Sequence, residues 1–93
     1  MTEQTPDVQP GSQPGTRAAM VAAVAGRHPA TVRLVGHFAW AHLPPPLQAI
    51  SRPIADVALA VAGQLPDGPD LTTGLRKLLE AKDSLVRAAL PDA

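Results

Sequence analysis

Cysteine is absent from this 93-residue chain, and only one phenylalanine and one tryptophan supply aromatic rings. The lack of cysteine excludes a disulfide framework and a thiolate metal site as sources of stability. A chain of this length builds a small core, which is marginally stable on its own. We therefore expect the protein to bury further apolar surface by self-association.

Neither sign of charge dominates, because eight basic residues are matched by eight acidic ones and no run of Lys or Arg occurs. Duplex nucleic acid selects for a basic face, so DNA is not an expected partner. The longest apolar stretch, residues 54–65, is short of the roughly 20 residues that span a bilayer. The residues before Arg17 also lack the basic start of a signal peptide. These features predict a cytoplasmic protein with no membrane partner.

The first third of the chain gives weak structural signals. Residues 1–16 are mostly Thr, Gln, Pro, Gly and Ser, which predicts a disordered segment that is dispensable for folding. Residues 17–26 have high helix propensity, but an isolated helix of ten residues is marginal in water. We therefore predict a disordered or weakly helical tail over residues 1–30. Residues 31–40 are rich in β-branched side chains and alternate loosely, so an extended segment is expected there.

Two helices are predicted after the three prolines at 44–46. Apolar residues recur at helical spacing from residue 47 to residue 65, with a kink or restart expected at Pro53. The sequence LPDGPD at 65–70 ends this helix and starts a second one, expected to run to about Leu90. Together they predict an all-α fold: an antiparallel two-helix hairpin domain over residues 31–91, preceded by an extended or partly helical N-terminal segment.

Both helices carry more apolar surface than a two-helix hairpin can bury. The first helix is apolar on two sides, and Gly74, Ala81 and Ala88 form a seam of small residues on the second. Such a seam allows another helix to approach closely. The pattern therefore predicts a homo-oligomer.

The polar residues of the second helix have two interpretations. Lys82 falls within a stripe of leucines, where its stem can cover apolar neighbours or its ammonium can meet an anionic ligand. Arg76 and Glu80 are four residues apart, which is typical of a weak surface ion pair. Recognition of a phosphate by Arg76 or Lys77 is the alternative. Thr72 fits the first turn of the helix as a capping residue.

The aromatic residues of the 38–42 segment also have two interpretations. Phe38 and Trp40 either pack on the hairpin or stack on a nucleobase, since a flat ring accepts any base. His42 and His37 lack the spacing of a helical metal pair, so neither a metal nor another cofactor is expected. No nucleophile elbow, phosphate-binding glycine loop or carboxylate dyad occurs, so the chain is not expected to be an enzyme.

The order of these features resembles the hairpin domain shared by phage anti-CBASS protein two and Thoeris anti-defence protein one. The resemblance covers residues 38–89: FAW at 38–40 with His42 nearby, a helix that ends at Leu65-Pro66, and the helix LTTGLRKLLEAKDSLVRAAL. Members of that family are sponges, which bind cyclic oligonucleotide or cyclic ADP-ribose-type immune signals without degrading them. They form hexamers whose ligand pockets lie between protomers.

The resemblance implies that this chain sequesters such a second messenger and so blocks host anti-phage defence. It implies a homo-oligomer, possibly a hexamer, and a host-cytoplasmic location. The expected ligand-binding residues are Phe38, Trp40, His42, Thr72, Arg76, Lys77, Glu80 and Lys82. The alternative is a small helical oligomer that acts as a protein-interaction adaptor, with the Pro-rich N-terminus as a tether and Lys82 fixing the register.

Overall fold

The computed structural model describes residues 13–90, which form four helices and, within that range, no β-strand. Helix α1 spans Arg17–Ala23, α2 spans Pro29–Gly36, α3 spans Pro45–Gln64 and α4 spans Pro69–Ala89. The predicted all-helical class is therefore confirmed. In this part of the chain, no helix has both the length and the apolar character needed to cross a bilayer. The disorder predicted for residues 1–12 concerns positions outside the described residues.

The extended conformation predicted for residues 31–40 is wrong, because most of this segment belongs to α2. The imidazole Nδ1 of His28 accepts a hydrogen bond from the Ala30 N–H at 3.0 Å, and Pro29 occupies the first helical position. Thr31 and Val35, one helical turn apart, are both fully buried. A capped start and a buried helical face thus outweigh the β-propensity of the individual residues.

Helix α1 is part of the folded unit, where the sequence predicted a disordered or weakly helical tail. Its residue Met20 and the following Val24 are buried in the same core as α2 to α4. The hydroxyl of Thr16 accepts a hydrogen bond from the Ala19 N–H at 3.0 Å and so caps the helix. A short helix that is marginal alone is stabilised here by tertiary packing.

Residues 13–16 also differ from the disorder predicted for them. The carbonyl of Gly15 accepts hydrogen bonds from the N–H groups of Trp40 at 2.8 Å and Ala41 at 3.0 Å. Gly15 has a positive φ of 80°, a conformation that glycine adopts without strain. The segment before α1 therefore lies across the connection between α2 and α3, and deleting it removes contacts to the core.

Helices α3 and α4 meet the predicted boundaries closely. The LPDGPD sequence separates them, and α4 begins at Pro69 and ends at Ala89. Helix α3 continues through Pro53 as a single helix instead of restarting there. The two helices pack against each other, while α2 packs against α1, α3 and α4 and so occupies the centre of the fold.

The residues that helix α3 buries completely are all small. The fully buried positions are Ser51, Ala55, Ala58 and Ala62. By contrast, Val57 and Leu65 are 48% and 49% exposed, and Leu85 of α4 is 51% exposed. We call the surface on this side of the two helices the aliphatic face. It comprises Ile50, Ile54, Val57, Val61 and Leu65 with Gly74, Leu78, Ala81, Leu85 and Ala88.

A polar clamp joins the α1–α2 loop to the α3–α4 loop. The Asp67 carboxylate accepts hydrogen bonds from the Thr31 hydroxyl at 2.7 Å and the His28 N–H at 3.0 Å. The Arg27 guanidinium lies 3.2 Å from the same carboxylate and also donates to the carbonyls of Ala62 and Leu65. These contacts, led by the Thr31 hydrogen bond, lower the pKa of Asp67 from 3.8 to about 2.

We expect Asp67→Asn to lower the melting temperature at neutral pH, because the amide cannot reproduce the charge-assisted bonds. The contribution of the carboxylate is complete above the unfolded-state pKa of 3.8 and is lost as the pH falls to about 2. The difference in melting temperature between the two proteins should therefore shrink between pH 4 and pH 2. Thermal unfolding followed by circular dichroism across this range measures it.

Asp56→Asn is the matched control, since Asp56 is exposed on α3 and its side chain forms no ion pair within residues 13–90. It should leave the melting temperature nearly unchanged at every pH. An Asp67→Asn protein as stable as the wild type at pH 7 would contradict a structural role for the clamp.

Candidate basic cleft

A cleft of about 510 Å³ lies where the start of α1, the end of α2 and the α2–α3 connection meet α4. Its walls are formed by Thr16, Arg17, Gly36, His37, Ala39, Ala41, His42 and Lys82. We call this site the basic cleft.

Local structure positions the basic residues of the cleft. Arg17 is the first residue of α1, directly after the capping Thr16. His37 follows the last residue of α2, and its N–H donates to the Leu34 carbonyl at 3.1 Å. His42 lies in the α2–α3 connection, which the Gln48 amide holds by donating to the carbonyl of Leu43 at 2.8 Å and that of Ala41 at 3.3 Å.

Gly36 allows α1 and α2 to come close beside the cleft. A Cβ atom at this position would lie 3.1 Å from Val21 Cγ2 and 3.2 Å from the Arg17 Nη1. The Arg17 guanidinium therefore lies directly against the last turn of α2. A larger residue at position 36 would displace the guanidinium from this wall.

Lys82 enters the cleft from α4 with most of its side chain covered. The side chain is 13% exposed, and its Nζ lies 3.2 Å from Oδ1 of Asp83, which is 51% exposed. The stem thus packs along the helix surface while the ammonium reaches a carboxylate of its own chain. An ammonium has three donors, so an anion in the cleft can bind Lys82 without breaking the pair with Asp83.

The described wall of the cleft combines four basic side chains with four small residues. Arg17 and Lys82 carry fixed positive charge, and His37 and His42 add ring nitrogens that can donate hydrogen bonds. No carboxylate is among the described side chains that form the wall. A cleft of this size falls within the range of roughly 300–1,000 Å³ that small-molecule sites occupy. The arrangement can bind a small anion.

The structure places the two aromatic candidates in the core. Phe38 is fully buried and Trp40 is 8% exposed, so neither presents a free ring face to a base. The Arg52 guanidinium lies 4.7 Å from the centroid of the Trp40 ring, as a cation–π contact. In this structure both aromatic residues therefore pack in the protein core, and neither is placed to stack on a nucleobase.

The candidates on α4 are divided between two places. Lys82 lines the basic cleft together with His42, whereas Arg76, Lys77 and Glu80 are exposed and lie outside its walls. Within residues 13–90, no ion pair joins Arg76 to Glu80. The Thr72 hydroxyl donates to the carbonyls of Gly68 at 3.2 Å and Pro69 at 3.1 Å. The capping role predicted for it is wrong, because Gly68 is the N-cap of α4 and no described side chain caps this helix.

Sequence reasoning missed Arg17 and His37. Both fell in segments interpreted as a tail and an extended strand, so nothing in the local pattern joined them to Lys82. The packing of α1 on α2, and of α2 on α4, brings the three residues together. Only a correct helical assignment of residues 29–36 could have indicated this.

No group of three or more His, Asp or Glu side chains in the described range is arranged to hold a metal ion. Searches of family models, of curated proteins and of solved structures found no match to this chain. The function of this chain is therefore inferred from its fold and from the basic cleft.

Proposed function

We propose that this protein is a non-enzymatic sponge that sequesters a cyclic oligonucleotide or cyclic ADP-ribose-type second messenger and so blocks anti-phage defence. In this proposal, α3 and α4 form an antiparallel hairpin, and the chain works as a homo-oligomer in the host cytoplasm. The observation that carries the proposal is the basic cleft, where, among residues 13–90, four basic side chains and no carboxylate line a space of about 510 Å³.

The chemistry of the cleft favours a phosphate-bearing ligand. The planar guanidinium of Arg17 can donate two parallel hydrogen bonds to phosphate oxygens, and Lys82 adds a compact positive charge opposite it. The whole chain has a formal net charge of +0, so the basic character is confined to a local site. A small anion fits such a site better than a polymeric nucleic acid, which needs an extended basic face.

The resemblance to the anti-CBASS and Thoeris anti-defence hairpin family supplies the ligand class. The proposal nevertheless changes the set of contacts. The cleft residues Arg17, His37, His42 and Lys82 contact the ligand's phosphates. Phe38 and Trp40 belong to the α2–α3 connection and pack in the core. In this proposal, the α4 surface residues Arg76, Lys77 and Glu80 do not contact the ligand in the cleft.

Capture by a sponge is stoichiometric, and its effect depends on affinity alone. A protein without turnover must hold its ligand at a dissociation constant below the signalling concentration. The ligand should therefore stabilise the folded protein by mass action, about 2.7 kcal/mol at a concentration 100 times the dissociation constant.

A thermal-shift screen of cyclic dinucleotides, cyclic trinucleotides and cyclic ADP-ribose isomers tests the proposal. We expect at least one of these ligands to raise the melting temperature, and chromatography to recover it unchanged from the denatured complex. Linear nucleotides of the same composition are the control for non-specific phosphate binding. Absence of a shift with every cyclic ligand would contradict the proposal, and recovery of a linearised product would identify an enzyme instead.

The second candidate function is a protein-interaction adaptor, and the exposed aliphatic face favours it. Val57, Leu65 and Leu85 expose about half of their surface on one side of the molecule. Contiguous apolar surface of this kind commonly marks an interaction site. An adaptor should associate with a protein partner through this face and bind no cyclic nucleotide tighter than about 10 μM, or roughly −7 kcal/mol.

A further inference from the structure

One half of the aliphatic face, beside the α3–α4 loop, forms an open apolar groove. The groove has a volume of about 570 Å³ and is lined mainly by Val57, Val61, Leu65, Leu71, Gly74 and Leu78. We call it the loop groove. All of its lining residues belong to α3, α4 and the loop between them. Neither α1 nor α2 therefore covers the loop groove within the described part of the chain.

Gly74 makes the floor of the loop groove accessible to a second backbone. A Cβ atom at this position would have no neighbour within 4 Å, and Gly74 lies in the second turn of α4. Glycine there costs about 1 kcal/mol of helix stability relative to alanine. Within the monomer, the absence of a side chain at position 74 allows no closer packing that would offset this loss of helix stability. A helix from a second copy that crosses at Gly74 could approach the α4 backbone closely.

The charges along the edge of the loop groove are self-complementary. Asp70 and Lys77 lie on the same side of α4, about 10 Å apart along the helix axis, with Gly74 between them. Both are exposed, and neither forms an ion pair within residues 13–90. A two-fold axis near Gly74 reverses the order of the two charges on a second copy. Each Asp70 then faces the partner's Lys77, and each Lys77 faces the partner's Asp70.

We propose that two copies of this chain associate through their loop grooves, with the α4 helices crossing antiparallel at Gly74 and two reciprocal Asp70–Lys77 pairs flanking the crossing. Such an interface is isologous, the commonest arrangement in homodimers. Apolar burial of Val57 and Leu65 supplies the association energy, while the charge pairs fix the antiparallel direction. This inference rests on the self-association included in the proposed function. It identifies the surface through which two copies of the chain associate. Lys77 becomes an interface residue and not a phosphate ligand.

A charge-exchange series tests the direction of the pairing. Asp70→Lys and Lys77→Asp, made singly, place like charges opposite each other twice in each dimer and should weaken the dimer at least tenfold. The double variant restores both pairs in reverse and should return the dimerisation constant to within about threefold of wild type. Analytical ultracentrifugation of the full chain from 1 to 200 μM measures these constants, and circular dichroism verifies that helicity is retained.

Two apolar variants test the location of the interface. Val57→Glu places a carboxylate inside the loop groove and should abolish the dimer. Leu85→Glu is the matched control, because Leu85 is exposed to the same extent but lies on the other half of the aliphatic face. It should leave the dimer intact.

A wild-type chain that is monomeric at 200 μM would overturn the inference, as would a double variant that stays as weak as the singles. Dissociation by Leu85→Glu and not by Val57→Glu would assign the interface to the other half of the face. Ligand titration of the Val57→Glu monomer is measured in parallel. Because Val57 lies outside the basic cleft, this variant should bind the ligand as the wild type does. A wild type that stays monomeric but binds a cyclic nucleotide would contradict this inference alone, whereas a wild type that dimerises but binds no cyclic nucleotide would contradict the ligand class of the proposed function.

Discussion

Replacing Gly15 with alanine should destabilise the protein by about 2–5 kcal/mol. Gly15 has a φ of 80°, and a Cβ atom there would lie 2.4–2.6 Å from three atoms of the Trp40 ring. The left-handed conformation costs a non-glycine residue about 1–2 kcal/mol. Forcing extra volume into a packed contact costs a further 1–3 kcal/mol or so. The segment before α1 must shift, and its hydrogen bonds to the Trp40 and Ala41 N–H groups are then lost.

Gly26→Ala is the matched control for this effect. Gly26 also has a positive φ, 85°, but a Cβ there would meet nothing within 4 Å. Only the conformational cost of about 1–2 kcal/mol should appear. Because Trp40 is the single tryptophan of the chain, its fluorescence reports the contact directly. A red shift in Gly15→Ala and none in Gly26→Ala is expected; equal effects of the two substitutions would contradict the packing of Gly15 on Trp40.

The two long helices could be predicted from the sequence because their boundaries are marked locally. Prolines, Gly68 and Asp70 define the ends of α3 and α4, and apolar residues recur at helical spacing between them. Helix α2 was not predicted, although Pro29 marks its start in the same way. Its β-branched residues favour a strand, and its stability depends on burying Thr31 and Val35 against three other helices.

Only part of the candidate site could be predicted from the sequence, because the rest depends on how the helices pack. His42 and Lys82 were singled out by residue type, and both line the basic cleft. The burial of Phe38 and Trp40 could not be decided, because an aromatic pair near a helix serves equally for packing or for stacking. Arg17 joins the cleft only through the packing of α1 on α2, a contact that no local pattern encodes.

Removing charge from the basic cleft should lower ligand affinity by about 10- to 100-fold. Each charge-assisted hydrogen bond to a phosphate contributes about 1.5–3 kcal/mol, and tenfold in affinity corresponds to about 1.4 kcal/mol. Arg17→Gln removes one such donor at an exposed position. Lys82→Met removes another while keeping an unbranched apolar stem against α4. Neither change should lower the melting temperature of the free protein by more than a few degrees.

Arg76→Gln is the matched control, since Arg76 is an exposed arginine of α4 outside the walls of the cleft. Its affinity should stay within about twofold of wild type. Isothermal titration calorimetry of the wild type, Arg17→Gln and Arg76→Gln, with the ligand found in the thermal-shift screen, tests whether the basic cleft is the binding site. We expect tight stoichiometric binding that Arg17→Gln weakens and Arg76→Gln leaves intact. The opposite order, or equal binding by all three proteins, would contradict ligand binding in the cleft.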